Sequence, residues 1–229
     1  MRIVIAGGHG KIAQLLGGLA ADRGDEVVGL VRDPAHEADL RELGVTALVR
    51  DLEDLASGPD GPQRLADDLT GADAVVFAAG AGPGSGAARK DTVDRGAAVL
   101  LADAAERAGV PAYLLVSSIG VDRVRDGATP DGVDDVFLAY LRAKLAAEED
   151  LLARPGLRVC ALRPAGLLDD PGTGAVHLAP DVDGGTVPRA DVAAVALALL
   201  DRLVAADPPA RVLGLSSGTT PVDEAVAAG

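Results

Sequence analysis

A tyrosine and a lysine four residues apart, in Tyr140-Leu-Arg-Ala-Lys144, form the pair in this chain best suited to moving a proton. On a helix, positions i and i+4 share a face, so phenol and ammonium would project into the same space. A free phenol, with a pKa near 10, exchanges protons poorly at neutral pH. A neighbouring cation favours the phenolate and moves the pKa toward the working range. A second candidate precedes the pair: the apolar run Leu114-Leu-Val-Ser-Ser118 ends in hydroxyls, which can hydrogen-bond a carbonyl at a strand's carboxyl end. Together Ser118, Tyr140 and Lys144 would polarise a carbonyl and exchange its proton. The same Tyr-x-x-x-Lys spacing also occurs on ordinary amphipathic helices, with Tyr half-buried and Lys solvated. The Ser-Ser strand end upstream, in a chain with only two tyrosines, tips the reading toward catalysis.

A second kind of site opens the chain, at Ile3-Val-Ile-Ala-Gly7-Gly8-His9-Gly10-Lys11-Ile12-Ala13. A short apolar strand runs through glycines into a helix that continues to Ala21. Free backbone N–H groups and the positive end of the helix dipole face such a turn, which makes it an anion site. The glycines allow a diphosphate to approach the backbone, and Ala13 stands where a packing glycine often sits. The spacing in this strand-to-helix setting points to a dinucleotide. His9 and Lys11 could add charge to the turn.

These groups need a scaffold, and the rest of the chain describes one. Apolar strands at residues 26–31, 45–49, 72–79, 112–118 and 157–162 alternate with helices near 36–43, 63–69, 91–108 and 134–153. A flexible Gly-rich loop spans residues 80–86. Continuously apolar strands separated by helices indicate a parallel sheet covered on both faces. The expected architecture is a single α/β domain over residues 1–229, a doubly wound Rossmann fold of strand order 3-2-1-4-5-6, with Arg211–Leu215 as a seventh strand. Residues 165–188, rich in Gly, Asp and Pro, read as a long substrate-side loop with a small hairpin around 183–185.

Ligands of such sheets lie beyond the carboxyl ends of the strands. The second strand ends at Val31, followed by Arg32, whose guanidinium suits the 2′-phosphate of NADP(H). Asp33 could instead contact a ribose hydroxyl and select NAD(H). The expectation favours NADP(H). Asp51 or its neighbouring amide could receive an adenine amino group, and Leu52 could cover the ring. Ala78, Ala79 and Gly80 leave room for a flat ring or ribose, although small residues there would also let a helix pack closely. Lys144 would hold the nicotinamide ribose.

Composition narrows the alternatives. A net charge of −14 argues against nucleic acid, which needs clustered Lys and Arg. No apolar run reaches membrane-spanning length, and the early strand leaves no space for a signal peptide. A single cysteine, Cys160, in an apolar run excludes an internal disulfide framework; a cytoplasmic protein is expected. His9, His36 and His177 have no metal-ligand spacing, so no metal is expected. The acidic run Glu148-Glu149-Asp150 reads as a solvated helix end, and Asp169 and Asp170 as structural loop acids. The chain is as readily a monomer as a homodimer.

Taken together, these motifs resemble the short-chain dehydrogenase/reductase superfamily, in particular its small atypical NAD(P)H-binding, or NmrA-like, members. The resemblance rests on Gly7–Ala13, Val31–Pro34, Val116–Gly120, Tyr140–Lys144, Leu162–Pro164, Asp169–Gly174 and Val187–Val192, and covers nearly the whole chain. It implies a Rossmann fold binding NADP or NAD, with Ser118, Tyr140 and Lys144 as the matching triad and Arg163-Pro164 bordering the nicotinamide. The implied activity is hydride transfer to or from a small carbonyl, alcohol or quinone-type substrate. Small relatives that leave the triad idle act as flavin or quinone reductases or as redox sensors. A sugar-epimerase role would rest on likeness of fold.

Overall fold

Strand β1 (Arg2–Ala6) runs through the middle of the protein, with Ile3, Val4, Ile5 and Ala6 all buried. The computed structural model describes residues 1–82, 84–208 and 211–229. From β1 the chain continues through α1 (Lys11–Asp22), β2 (Glu26–Val31), α2 (Glu37–Glu42), β3 (Thr46–Val49), α3 (Leu52–Ser57), α4 (Gly61–Asp68) and β4 (Ala74–Phe77). A short α5 (Ala87–Arg89) passes through a π-helical segment, Lys90–Ala97, into α6 (Ala98–Ala108). Then come β5 (Ala112–Val116), α7 (Asp135–Leu152), β6 (Arg158–Pro164), β7 (Gly166–Leu168), β8 (Ala175–Ala179) and β9 (Thr186–Pro188). The chain closes with α8 (Arg189–Val204), β10 (Val212–Ser217), β11 (Thr220–Pro221) and α9 (Val222–Ala228). Among the described residues no helix is long and apolar enough to cross a membrane.

The expected order is borne out: β3-β2-β1-β4-β5-β6 pair in parallel, and β10 joins β6 as the seventh parallel strand. Side chains alternate between the sheet's two faces. Ile3, Ile5, Leu114 and Leu162 pack toward α1 and α8, whereas Val4, Tyr113, Leu115 and Ala161 pack toward α4, α6 and α7. Both faces are covered by helices, which is why these strands read as unbroken apolar runs.

Residues 165–188 differ from the expected loop. β8 extends the sheet antiparallel to β10, and β11 pairs with β8, giving nine strands among the described residues. β7 and β9 form a separate parallel pair, so residues 183–185 lead into β9 and do not turn a hairpin. Of the expected loop at 80–86, Pro83 lies outside the described residues.

The same alternation corrects two readings of charge. On β6, Arg163 shares the phase of Val159 and Ala161 and so points at α7. There its guanidinium meets Glu148, with Nε 3.0 Å from Oε1 and Nη2 2.5 Å from Oε2, and it also pairs with Asp122. Ser117, in phase with Tyr113 and Leu115, donates its hydroxyl to the same Glu148. Glu148 is therefore buried, at 1% exposed, and is no part of a solvated helix end. Glu149 and Asp150 do face outward, paired with Arg125 and Arg154. Arg163 is committed to this pair and ties α7 to the sheet. A Glu148→Gln substitution would leave the guanidinium with only the half-exposed Asp122 as counter-charge, at a cost of about 3 kcal/mol. Urea denaturation of the variant should show that loss.

Candidate functional site

Two cavities meet at the carboxyl ends of the strands, sharing a wall made by Ala78, Ala79 and Gly80 after β4. The first, about 400 Å³, lies over the glycine turn. The turn is set by close approach. Gly7 has φ of +81°, and a Cβ there would lie 2.6 Å from the Ala79 backbone. A Cβ on Gly8 would lie 2.7 Å from Gly29 on β2. Gly10 leads into α1 without a side-chain cap, which leaves the N–H groups of the first turn open to an anion. The backbone is thus held where any side chain would fill the cradle, and a diphosphate fits it.

The outer end of this cavity carries Arg32, Asp33, His36, Arg50, Asp51, Leu52, Glu53 and Arg89. Arg32 is 59% exposed, with Nη1 3.6 Å from Glu53. Arg89 grips the same carboxylate at 2.6 Å, and this bond, with help from Thr92 and Arg32, holds Glu53 below the usual carboxylate range despite its partial burial. Asp33 accepts from the amide of Ala35, and Asp51 caps α3 by accepting from Glu53 N at 2.9 Å. Arg50 is forked onto Asp68. His9 stacks flat on His36, with centroids 3.6 Å apart, and its Nε2 lies 2.8 Å from Asp39. Lys11 turns away from both cavities and reaches Asp169 at 2.5 Å, which in turn meets Arg189. The loop acid Asp169 therefore clasps the start of α1 to α8. The turn supplies its charge complement through the backbone, without the Lys11 ammonium.

The second cavity, about 790 Å³, contains Ile12, Ser118, Tyr140 and Lys144. Asp134 caps α7, accepting from the amides of Val136 and Phe137, and so orients the helix over the strand ends. Positions 140, 144 and 148 then form one polar stripe down its sheet-facing side. Lys144, 3% exposed, donates to the Val116 carbonyl at 3.1 Å and lies 3.4 Å from Asp94 Oδ1. Burial lowers its pKa from the ordinary lysine value, and Asp94 draws it partly back. Asp94 is 1% exposed, its Oδ2 accepts from the Ala81 amide, and among the described residues its Oδ1 has no hydrogen-bond donor. Tyr140 stands above, its ring 6.0 Å from the Lys144 nitrogen. Burial pushes the phenol up to about 12, against a downward pull from the neighbouring Ser118 hydroxyl. This differs from the expected lowering by Lys144: burial dominates, and the negative charges of Asp94 and Glu148 add to the rise.

Arg163, expected at the nicotinamide, is absent from this lining, although Pro164 is part of it. Asp94 and Lys90, another lining residue, were not foreseen. Their signal was present: Lys90, Val93, Asp94 and Ala97 recur at helical spacing, a buried stripe containing two charges. Among the described residues no group of three His, Cys, Asp or Glu could hold a metal ion.

Residues 7–202 match the NAD(P)H-binding family. The chain belongs to that family. Within it, the chain is 30% identical over 227 residues to a Bacillus subtilis protein named as an uncharacterized sugar epimerase, covering 99% of each chain. A solved structure of a candidate NAD-dependent epimerase/dehydratase from Bacillus halodurans aligns over 100% of both chains, at 30% identity and a TM-score of 0.85. An anaerobillin reductase from Escherichia coli O157:H7 aligns over 95% of this chain and 97% of its own, at 25% identity and a TM-score of 0.76. These likenesses agree with the resemblance to small atypical short-chain dehydrogenase/reductases. This member of the NAD(P)H-binding family thus has an oxidoreductase-like fold with a nicotinamide cofactor site.

The Asp94–Lys144 pair makes a prediction about stability. Asp94→Asn would leave a buried ammonium unpaired, costing about 3 kcal/mol near neutral pH. A depressed lysine pKa means that the unfolded chain binds more protons, so stability rises with pH up to the unfolded value of about 10.4. The deficit of the variant should therefore shrink as pH is raised from 7 toward 10, as read by urea denaturation at each pH.

Proposed function

We propose that this protein is an NADP(H)-dependent oxidoreductase that transfers a hydride to or from a small carbonyl, alcohol or quinone-type substrate. The observation that carries this reading is the convergence of Ser118, Tyr140 and Lys144 on one cavity that shares a wall with the glycine-turn cradle. Bound there, the cofactor would supply two electrons and a hydrogen as hydride to the carbonyl carbon. A phenol with a pKa near 12 is protonated across the physiological range, so in the reductive direction Tyr140 gives its proton to the oxygen and an alcohol forms. The Ser118 hydroxyl, which donates to the Ile119 carbonyl at 3.0 Å, would turn to donate to that oxygen and hold it in place. Lys144, fixed below by Asp94 and the Val116 carbonyl, anchors the ribose next to the reacting carbon. Water restores the phenolic proton.

Preference for the 2′-phosphate is supported by Arg32 and Arg89, which both reach the outer cavity, while Asp33 is engaged with its own turn. Val136, Phe137 and Leu167 line the second cavity with exposed apolar surface. That wall suits an apolar carbonyl compound better than the polyol of a sugar epimerase.

NADPH oxidation screened over carbonyls and quinones tests the chemistry. Tyr140→Phe should lower kcat at least about 100-fold while leaving NADPH affinity unchanged; undiminished turnover would remove the triad from the mechanism and favour direct hydride transfer to a flavin or quinone. Arg32→Glu should weaken NADPH binding by about tenfold or more and leave NADH binding within a few-fold. An unchanged preference would sink the 2′-phosphate assignment.

A further inference from the structure

The second cavity carries a positive charge that no carboxylate among the described residues pairs with. Five charged residues line it: Lys90, Asp94, Asp134, Lys144 and Arg189. Asp94 lies within ion-pairing distance of Lys144. Arg189 is held by Asp169 at 2.6 Å, outside the cavity lining. Asp134 is exposed at the rim and caps α7. The nearby Glu148 is forked onto Arg163. Lys90 remains. It is 8% exposed, and among the described residues no carboxylate pairs with it. Its Nζ donates to the Gly82 carbonyl at 3.0 Å and lies 5.6 Å from the centre of the Tyr140 ring.

An ammonium has three hydrogens to donate, and a buried cation is costly without an opposite charge. The carbonyl of Gly82 and the face of Tyr140 offset part of that cost, and an anion entering the cavity would supply the rest. Resting on the oxidoreductase reading above, we infer that the substrate is an anionic carbonyl compound whose carboxylate pairs with Lys90 while its apolar body lies against Val136, Phe137 and Leu167. The neighbouring rings fit that body: Phe137 stacks on Tyr140 with centroids 5.7 Å apart and remains 45% exposed. Charge at one end and apolar surface at the other would orient the carbonyl toward the Ser118 and Tyr140 hydroxyls. Lys90 thereby becomes a specificity-determining residue on the π-helical segment, one turn from the Asp94 that secures Lys144.

The test uses two probes of one shape and different charge, 2-naphthoate and 2-naphthamide. Each is titrated by calorimetry into the full chain, with and without saturating NADP+. The wild type should bind naphthoate at least about tenfold more tightly than naphthamide, the strength of one charge-assisted hydrogen bond. Lys90→Gln should bring the two probes within about twofold, and Lys90→Arg should retain the preference. Equal binding of the probes by wild type, no detectable naphthoate binding, or a preference that survives in Lys90→Gln would overturn the inference. Should Lys90→Gln fail to fold, the salt dependence of the wild-type preference decides the matter: it should shrink as ionic strength rises, and a salt-independent preference would overturn it. Absence of heat on adding NADP+ would instead sink the nicotinamide reading, while the titrations without cofactor still decide the role of Lys90.

Discussion

A buried ammonium has to be answered by an opposite charge, and at Lys144 that requirement organises the middle of the site. The nitrogen sits where α7, the π-helical segment, and the ends of β4 and β5 meet, held by Asp94, the Val116 carbonyl and the more distant carbonyl of Ala79. Each partner comes from a different element, so the charge can be accommodated only when all are docked. Asp94 reaches it from a π-helical turn, and the same carboxylate takes the Ala81 amide just beyond β4. A single carboxylate thus fixes both the lysine and the backbone that separates the two cavities. The absence of a side chain at Gly80 belongs to the same arrangement: a Cβ there would lie 3.2 Å from Asp94 Oδ1.

One turn further along α7, Glu148 repeats the device against the sheet. It gathers Arg163 from β6 and the Ser117 hydroxyl from the end of β5. The stripe Tyr140, Lys144, Glu148 therefore changes role with depth, from the proposed proton transfer at the mouth, through support, to anchoring. Period-two alternation along β5 and β6 decides which residues face which task. Ser117 and Arg163 turn toward α7, while their neighbours Ser118 and Pro164 line the cavity.

Much of this was legible in the sequence wherever the physics is local. Continuously apolar strands and helices between them specify a doubly wound sheet, and the glycines at 7, 8 and 10 specify a backbone that approaches β4 and β2 too closely for side chains. Tyr140 and Lys144 are one helical turn apart, so their shared face needs no tertiary knowledge. What stayed hidden depends on partners distant in the chain. Asp94 and Lys144 are separated by fifty residues of sequence, and only the packed fold shows that the cation is already matched. Without that partner in view, Lys144 reads as free to lower the phenol of Tyr140. Likewise, Glu148 reads as solvated because its neighbours Glu149 and Asp150 are, and Arg163 reads as a ligand because it stands at a strand's carboxyl end. The strands β8 and β11 escaped because antiparallel edges built from short, Gly- and Pro-flanked segments carry little periodic signal.

Charge balance also explains how an acidic chain can serve an anionic cofactor. With a net charge of −14, the protein as a whole repels phosphates. The proposed phosphate cradle would rely on backbone N–H groups and a helix end, which carry no net charge and cannot be neutralised by nearby carboxylates. Mobile cations would be poor substitutes here, since Lys11, Arg50 and Arg163 are all drawn into pairs with local acids. Of the cations that line the cavities, Arg50, Lys144 and Arg189 are paired with Asp68, Asp94 and Asp169; Arg32 and Arg89 share one carboxylate at the outer end, and among the described residues no carboxylate pairs with Lys90 at the inner end. In so acidic a chain a cation without its own carboxylate has to be sheltered from the many acids around it. Burial of Lys90 under Tyr140 and the Gly82 carbonyl does this, and directs its charge into the cavity.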